Sequence, residues 1–361
     1  MNILFVIKGN EPYVSQQAQI ELVAGLQRKG VSILLAGNFS SEVEAFLRTL
    51  KIKYTKIFPK KKIDRKYIKD FKELVQKQQI DLVHFVDGKS ARSGLIAIKN
   101  TPVKSVVYFG SGSLHWYDPS SYLTYLHPSI DAIICNSNFV YKHVRNQLFG
   151  KQKDRAVQIY KGYNPSWFDN IPSKDLAEFG IPKDAITVCL VGNHRKIKGT
   201  KYFLQSSYHL ESEKNIHYLL IGENTGNSFF QNIRKNSPIA EKIHILGHRT
   251  DVISILKSVN IYSQTSLEEG FGRAISEAMS VGKPIVMTNA GGCTELIDES
   301  SGIITPVKDP KAIGKAISSL VNNDELRNQM GENAKKRIED VYHINKTVTD
   351  TLKLYKRLLN E

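Results

Sequence analysis

Short β-branched runs alternate with helical patterns along almost the whole chain, and that rhythm limits the fold more than any other feature. Asn2–Ile7, Ser32–Gly37, Leu82–Phe85 and Ser105–Phe109 read as strands, and Ala132–Asn136 and Val157–Tyr160 look similar. Ser15–Lys29 reads as a helix closed by Gly30. This is the βαβ pattern of an open, mostly parallel sheet. It pauses across Gly162–Pro182, where Pro165, Pro172 and Pro182 fall among few apolar residues. A second series then runs through Thr187–Val191, His217–Ile221, Lys242–Leu246, Ile261–Gln264, Pro284–Thr288 and Gly302–Thr305. Helical patterns follow at Asp309–Asn322, Asp324–Val341 and Asn345–Leu359.

The 361 residues match a prior of about two domains. The expected architecture is two doubly wound α/β domains facing a central cleft, with the ligand at the carboxyl ends of the strands. The first would span 1–165, a connection 166–182 and the second domain 183–342. The last segment, 343–361, would pack back on the first domain.

Hydrophobic residues make up 41% and charged residues 24%, which excludes disorder and a disulfide scaffold as descriptions of the whole chain. No apolar run approaches the roughly 18 residues of a membrane span. Ile3–Ile7 runs directly into Lys8 with no basic leader, so the start reads as a strand and not a secretory signal. Cys135, Cys189 and Cys293 are far apart and lack Cys-x-x-Cys spacing, so they read as small buried residues of a reducing cytoplasm.

The net charge of +15 is uneven. Residues 51–77 hold eleven Lys and Arg against Asp64, Asp70 and Glu73. Tyr67, Ile68, Phe71, Leu74 and Val75 recur there at helical spacing. Such a helix either packs its apolar face on the core with solvated lysines outside, or lies on an anionic membrane. The residual signal of the stretch is a polyanionic partner, such as anionic lipid, a phosphate-bearing acceptor or nucleic acid.

The densest chemical signal is Ser266–Met279, a glycine-punctuated turn after the strand Ile261–Gln264. Backbone N–H groups of Gly270, Phe271 and Gly272 at the start of the following helix suit a phosphate. Arg273 sits at that start. Glu269 lies in the turn and Glu277 in the second turn of the helix, so the two carboxylates would hold separate parts of one elongated ligand, a sugar and a ribose. The alternative is surface acids near a helix start, where they are favoured anyway. The partner signal is Val191-Gly192-Asn193-His194-Arg195-Lys196-Ile197-Lys198-Gly199. Arg195 as a fork and Lys198 as a point charge could clamp a diphosphate and stabilise it as a leaving group.

Glu269 to Glu277 resembles the E-x7-E motif of retaining, family 4-type glycosyltransferases with the GT-B fold. Arg195 and Lys198-Gly199 are similar to that family's diphosphate-binding turn. Val281–Val286, Gly291–Glu295 and Leu246–Asp251 resemble further segments in the same order, the last, with Gly247 and His248, near the nucleotide base. The resemblance is densest over 185–340. In the first half, Gly9-Asn10-Glu11-Pro12 has one glycine where the family often has two. The family's histidine near the active centre is matched by His115, in the loop with Ser111, Ser113 and Trp116.

The resemblance implies a nucleotide-sugar donor, UDP-linked before GDP-linked, with Glu269, Arg195, Lys198 and His115 at the reaction. Gly9, Asn193, Gly247, His248, Gly270, Phe271, Gly272, Arg273 and Glu277 would bind the donor. Asn10, Ser111, Ser113 and Trp116 would meet a glycan, lipid-linked or phosphate-bearing acceptor of bacterial cell-surface polysaccharide or lipopolysaccharide synthesis. It implies no cofactor and no metal, and no Asp-x-Asp of metal-dependent relatives occurs. The expected location is the cytoplasm, with 51–77 offering peripheral attachment to an anionic membrane surface. A nucleotide-sugar epimerase on the same fold is a second reading. A basic nucleic-acid-binding module is a third, against which stands the absence of RNP or Cys/His finger patterns, so no nucleic-acid partner is expected.

Overall fold

The computed structural model describes residues 1–210 and 214–361. The chain forms two compact units, Met1–Gly162 together with Ile344–Glu361, and Tyr163–His343.

The first unit runs β1 (Asn2–Val6), α1 (Tyr13–Arg28), β2 (Ser32–Gly37), α2 (Ser41–Thr49), β3 (Tyr54–Lys56) and α3 (Arg65–Lys77). It continues with β4 (Leu82–Phe85), α4 (Gly88–Ala97), β5 (Lys104–Phe109), β6 (Ala132–Cys135), α5 (Asn138–Gln147) and β7 (Ala156–Gln158). The strands form a parallel sheet in the order β3-β2-β1-β4-β5-β6-β7. Every residue of β4 and β6 is buried, as strands covered by helices on both faces must be. Ser40, Asp64, Asp87 and Ser137 open α2 to α5 by accepting backbone N–H bonds, which spares the first helical turns their unpaired donors. Asp87 takes the N–H groups of Lys89 and Ser90 at 3.0 and 2.9 Å, so this helix start is occupied by its own carboxylate.

The basic stretch divides into a short edge strand, β3, and α3. Tyr67, Phe71 and Val75 of α3 lie one turn apart and are all buried in the core. Of the two packings open to this helix, its apolar stripe has taken the core.

The second unit runs β8 (Ile186–Val191), α6 (Thr200–Ser206), β9 (Ile216–Ile221), α7 (Ser228–Lys235), β10 (Ile243–Gly247) and α8 (Val252–Ser258). It continues with β11 (Ile261–Gln264), α9 (Arg273–Ser280), β12 (Ile285–Thr288), β13 (Gly302–Thr305), α10 (Pro310–Asn322) and α11 (Asp324–Asp340). Its sheet is parallel, in the order β10-β9-β8-β11-β12-β13.

Residues 166–182, expected as a connection, are bound into this second unit. The Lys257 ammonium donates to the carbonyls of Phe168, Asp169 and Ile171 at 2.9, 3.2 and 2.6 Å. Lys174 N–H bonds the Ser254 carbonyl at 3.0 Å, and Ser258 Oγ donates to the Lys174 carbonyl at 2.7 Å. The segment is poor in apolar residues because α8 holds its backbone instead.

The last helix, α12 (Ile344–Leu359), packs on α1 in the first unit. Thr347 Oγ1 donates to the Tyr160 carbonyl at 2.9 Å, and the Tyr355 hydroxyl meets His84 Nδ1 at 2.6 Å. All three cysteines are free and buried. Among the described residues no helix is long and apolar enough to cross a membrane.

Burial pushes the His84 imidazole down to about 3, so the native protein holds it neutral. An unfolded chain titrates it near 6.5, and the unfolded state therefore binds the extra proton as pH falls between those values. Stability is expected to drop by about 2–3 kcal/mol from pH 7 to pH 4.5 through this one group. Denaturant unfolding of the wild type and His84→Gln across this range tests it. The variant should show a shallower pH slope by close to one proton, and equal slopes would refute the assignment.

Candidate active site

In the second sheet β9 and β10 lie on one side of β8, and β11, β12 and β13 on the other. The chain direction of succession reverses between β8 and β11, and a crevice opens at such a point beyond the carboxyl ends of the strands. Both motifs singled out in the sequence emerge there. The turn after β8 carries Asn193, Arg195 and Lys198, and the turn after β11 carries Glu269 to Gly272. They are neighbours because their strands pair, with Tyr262 beside Cys189.

Three bonds fix one turn to the other. Leu267 N–H bonds the Ile197 carbonyl at 2.7 Å, and Thr265 Oγ1 donates to the Gly199 carbonyl at 3.0 Å. The third is an ion pair: Lys198 Nζ donates to Glu269 Oε2 at 2.7 Å, across 71 residues of sequence. Gly199 makes this approach feasible. Its φ is +58°, and a Cβ there would stand 1.9 Å from the Thr265 carbonyl oxygen. A third segment braces Glu269 through its backbone. Glu269 N–H bonds the Ala290 carbonyl at 2.7 Å, and Gly292 N–H bonds the Glu269 carbonyl at 2.9 Å.

A chain of side chains that the sequence reading missed runs up to the same carboxylate. The Tyr262 hydroxyl donates to Gln264 Oε1 at 2.6 Å, and Gln264 Nε2 donates to Ser266 Oγ at 2.8 Å. Ser266 Oγ in turn donates to Glu269 Oε2 at 3.3 Å. All three residues are buried. The sequence carries little signal for them, because residues 263–266 are all polar and only the bonds show that Tyr262, Gln264 and Ser266, at every second position, join in one chain. Polar groups so enclosed need partners, and here each supplies the next. Glu269 is thus held by Ser266 and Lys198 with its side chain 14% exposed.

Around this pair, Arg195 is exposed and makes no ion pair among the described residues. Asn193 Oδ1 is buried with no hydrogen-bond partner, an acceptor suited to a hydroxyl. Gly272, with φ +98°, opens α9. Glu277 is buried in the second turn, with Arg273 Nε 3.7 Å from Oε1. The Phe271 ring is buried edge-on against Tyr342, and the expectation for this residue concerned its backbone N–H. Gly247 ends β10 with its carbonyl bonded by Gly222 N–H at 2.7 Å, and His248 beyond it is exposed. Arg249 and Asp251 form a bidentate pair at 2.8 and 2.5 Å that steadies this loop. His217 and His244 bond each other at 2.9 Å.

The first unit's candidates stand at the carboxyl ends of its own strands. Gly9 is buried and its N–H is taken by Gln16 Oε1 at 3.1 Å, because the turn after β1 closes on α1. Its N–H is therefore engaged within the protein, while Asn10 beside it is exposed. His115 is half-buried, its ring stacked on Tyr117 at 5.0 Å and edge-on to His143 at 5.9 Å. Ser111 and Ser113 share a hydrogen bond of 2.8 Å. Trp116 is exposed, with its N–H on Gln147 Oε1 at 3.0 Å.

Two family models match the chain. That for Glycosyltransferase Family 4 takes residues 18–167, and that for Glycosyl transferases group 1 takes 173–337. The chain belongs to the family 4-type glycosyltransferases. The first model takes residues of the first unit and runs a few residues past Gly162, and the second lies wholly within the second unit of this glycosyltransferase.

The glycosyltransferase is 26% identical over 295 residues to the uncharacterized glycosyltransferase MJ1178 of Methanocaldococcus jannaschii, a match covering 80% of this chain and 78% of that one. It is 25% identical over 319 residues to UDP-Gal:alpha-D-GlcNAc-diphosphoundecaprenol alpha-1,3-galactosyltransferase of Escherichia coli, covering 80% of each. With several other relatives the match spans only 39% to 56% of the relative's length. The crystal structure of Anabaena Alr3699/HepE, in complex with UDP and glucose, shares the GT-B fold at a TM-score of 0.81 and 16% identity, over 99% of this chain and 100% of that one.

Proposed function

We propose that this glycosyltransferase moves a sugar from a nucleoside-diphosphate sugar, UDP-linked before GDP-linked, to a glycan, lipid-linked or phosphate-bearing acceptor of bacterial cell-surface polysaccharide synthesis. The observation that carries the reading is the Lys198–Glu269 pair at the reversal point of the second sheet. An ammonium and a carboxylate fixed side by side suit a ligand with a phosphate next to a sugar hydroxyl: Lys198 and Arg195 take the diphosphate, and Glu269 accepts from the sugar. Glu277 serves the ribose, and the orphan Asn193 oxygen takes a further hydroxyl. The Escherichia coli relative's named donor and the UDP and glucose in the HepE crystal support a nucleotide sugar. That relative's name also supports a lipid-linked acceptor.

The reaction is read as substitution with retention on one face of the sugar. The bond from the anomeric carbon to the phosphate oxygen breaks, and the bond to the acceptor oxygen forms on the same face. The acceptor proton passes to the departing diphosphate. No step calls for a metal.

Thermal unfolding with UDP, GDP or ADP, each with excess EDTA, tests the donor reading. A nucleotide at 100 times its dissociation constant stabilises by about 2.7 kcal/mol. One nucleotide should raise the unfolding temperature in the wild type and fail to do so in Arg195→Ala. No shift with any nucleotide, or an unchanged shift in the variant, would refute the clamp. An inverted product anomer would refute retention.

A further inference from the structure

Three hollows adjoin along the carboxyl edge of the first sheet. One of about 570 Å³ lies where the strand order reverses between β1 and β4, lined by Lys8, Asn10, Asn38, Lys56, Lys60 and Lys89. A second, about 610 Å³, shares Lys56, Phe58 and Lys60 with it and adds Lys61, Arg65 and Lys66. A third, about 300 Å³, shares Lys89 with the first and adds Lys62 and Arg92. The shared walls put the hollows in series.

The acids nearby do not cancel this charge. Nine Lys and Arg line the three hollows against four acids, Asp64, Asp70, Asp87 and Asp118. Asp64 is turned to its helix start, accepting Lys60 N–H at 2.9 Å and Tyr67 N–H at 3.1 Å. Lys8 pairs with Glu11 at 2.8 Å, and Lys56 pairs with Glu44. Asp118 faces Arg92 in the third hollow, and Asp70 lines the second. Lys60, Lys61, Lys62, Arg65 and Lys66 are exposed and make no ion pair among the described residues.

We propose that this groove holds a linear acidic glycan, phosphodiester-linked or uronate-bearing, as the acceptor. The inference rests on the reading of the protein as a sugar transferase. A single anion would meet one hollow and leave the other cations unmatched, whereas a repeating charge meets them in turn. Asn10, Asn38 and Ser113 supply the neutral polar groups that hydroxyls need, and the Phe58 ring supplies a face for a sugar ring. A bilayer is the poorer occupant. The surface is concave, and the apolar stripe of α3 that would enter lipid is buried in the core.

Binding of the full chain to short and long glycerol-phosphate oligomers, to oligogalacturonates and to neutral dextran tests the proposal. Vesicles of phosphatidylcholine with phosphatidylglycerol form the membrane arm. At least one acidic series should bind more tightly as it lengthens and more weakly with added salt. The variant Lys60→Glu/Lys61→Glu/Lys66→Glu should lose about tenfold or more in affinity. Lys72→Glu/Lys77→Glu, which changes charge on α3, the helix that carries Lys66, but outside the hollows, should bind as the wild type does. Stabilisation by UDP reports the donor site and should persist in both variants. If none of UDP, GDP and ADP stabilises even the wild type, the donor reading falls, while length-dependent acidic binding still supports the groove. Equal binding of dextran, an unaffected triple variant, or capture by vesicles without binding of acidic oligomers would each overturn it.

Discussion

Replacing Lys198 by alanine is expected to lower the sugar-transfer rate by about two to three orders of magnitude, the usual cost of removing a preorganised group aimed at developing charge. The ammonium sits 2.7 Å from Glu269 and is the cation nearest to it. Its loss removes a counter-charge for the departing diphosphate. It also leaves a largely enclosed carboxylate with Ser266 as its remaining donor, which should cost about 1–3 kcal/mol of stability. The two effects separate in a double variant. Lys198→Ala/Glu269→Gln should regain the stability, because the unpaired charge is gone, and should stay inactive. Steady-state kinetics and thermal unfolding of the single and double variants check both parts. A Lys198→Ala enzyme within threefold of wild-type turnover would remove Lys198 from the reaction.

The second large effect is structural and independent of any substrate. Gly199→Ala should destabilise the second unit by about 3 kcal/mol or more, since a left-handed alanine costs about 1–2 kcal/mol before any clash. The new Cβ would stand 1.9 Å from the Thr265 carbonyl oxygen, so the turns after β8 and β11 must part. Parting them breaks the approach that brings Lys198 to Glu269, and nucleotide-induced stabilisation should vanish with it. Gly180→Ala is the internal control. Its φ is +72°, but its Cβ would meet nothing within 4 Å, so only the conformational cost of about 1 kcal/mol applies. Similar unfolding temperatures for the two variants would show that the turns yield without cost.

Most of the sheet was legible in the sequence because its strands are short, aliphatic and buried on both faces, a pattern that survives without knowledge of the neighbours. β3 was not, since Tyr54–Lys56 is a three-residue edge strand set among lysines. The segment 166–182 looked like a connection because what holds it is the ammonium of Lys257, far along the chain, and not an apolar face of its own. The site residues Lys198 and Glu269 could be picked out singly from their turns. That they touch each other could not, because the contact depends on β8 and β11 being neighbours in the sheet. Tyr262, Gln264 and Ser266 escaped notice for a related reason. Ser263 to Ser266 are polar without a break, so the pattern singles out no face, and only packing tells which of these groups are enclosed together. Gly9 went the other way, its N–H being taken up by Gln16.

The placement of α12 in the first unit bears on how the molecule is made. Synthesis runs from the N-terminus, so the ribosome delivers all of the first sheet early and its closing helix only after the whole second unit. Until then His84 lacks the Tyr355 hydroxyl, and the surface of α1 that receives Val348 is bare. The first half of the nascent chain must therefore wait, its seven strands made but one covering helix missing, until the second unit, continuous in sequence, has been synthesised.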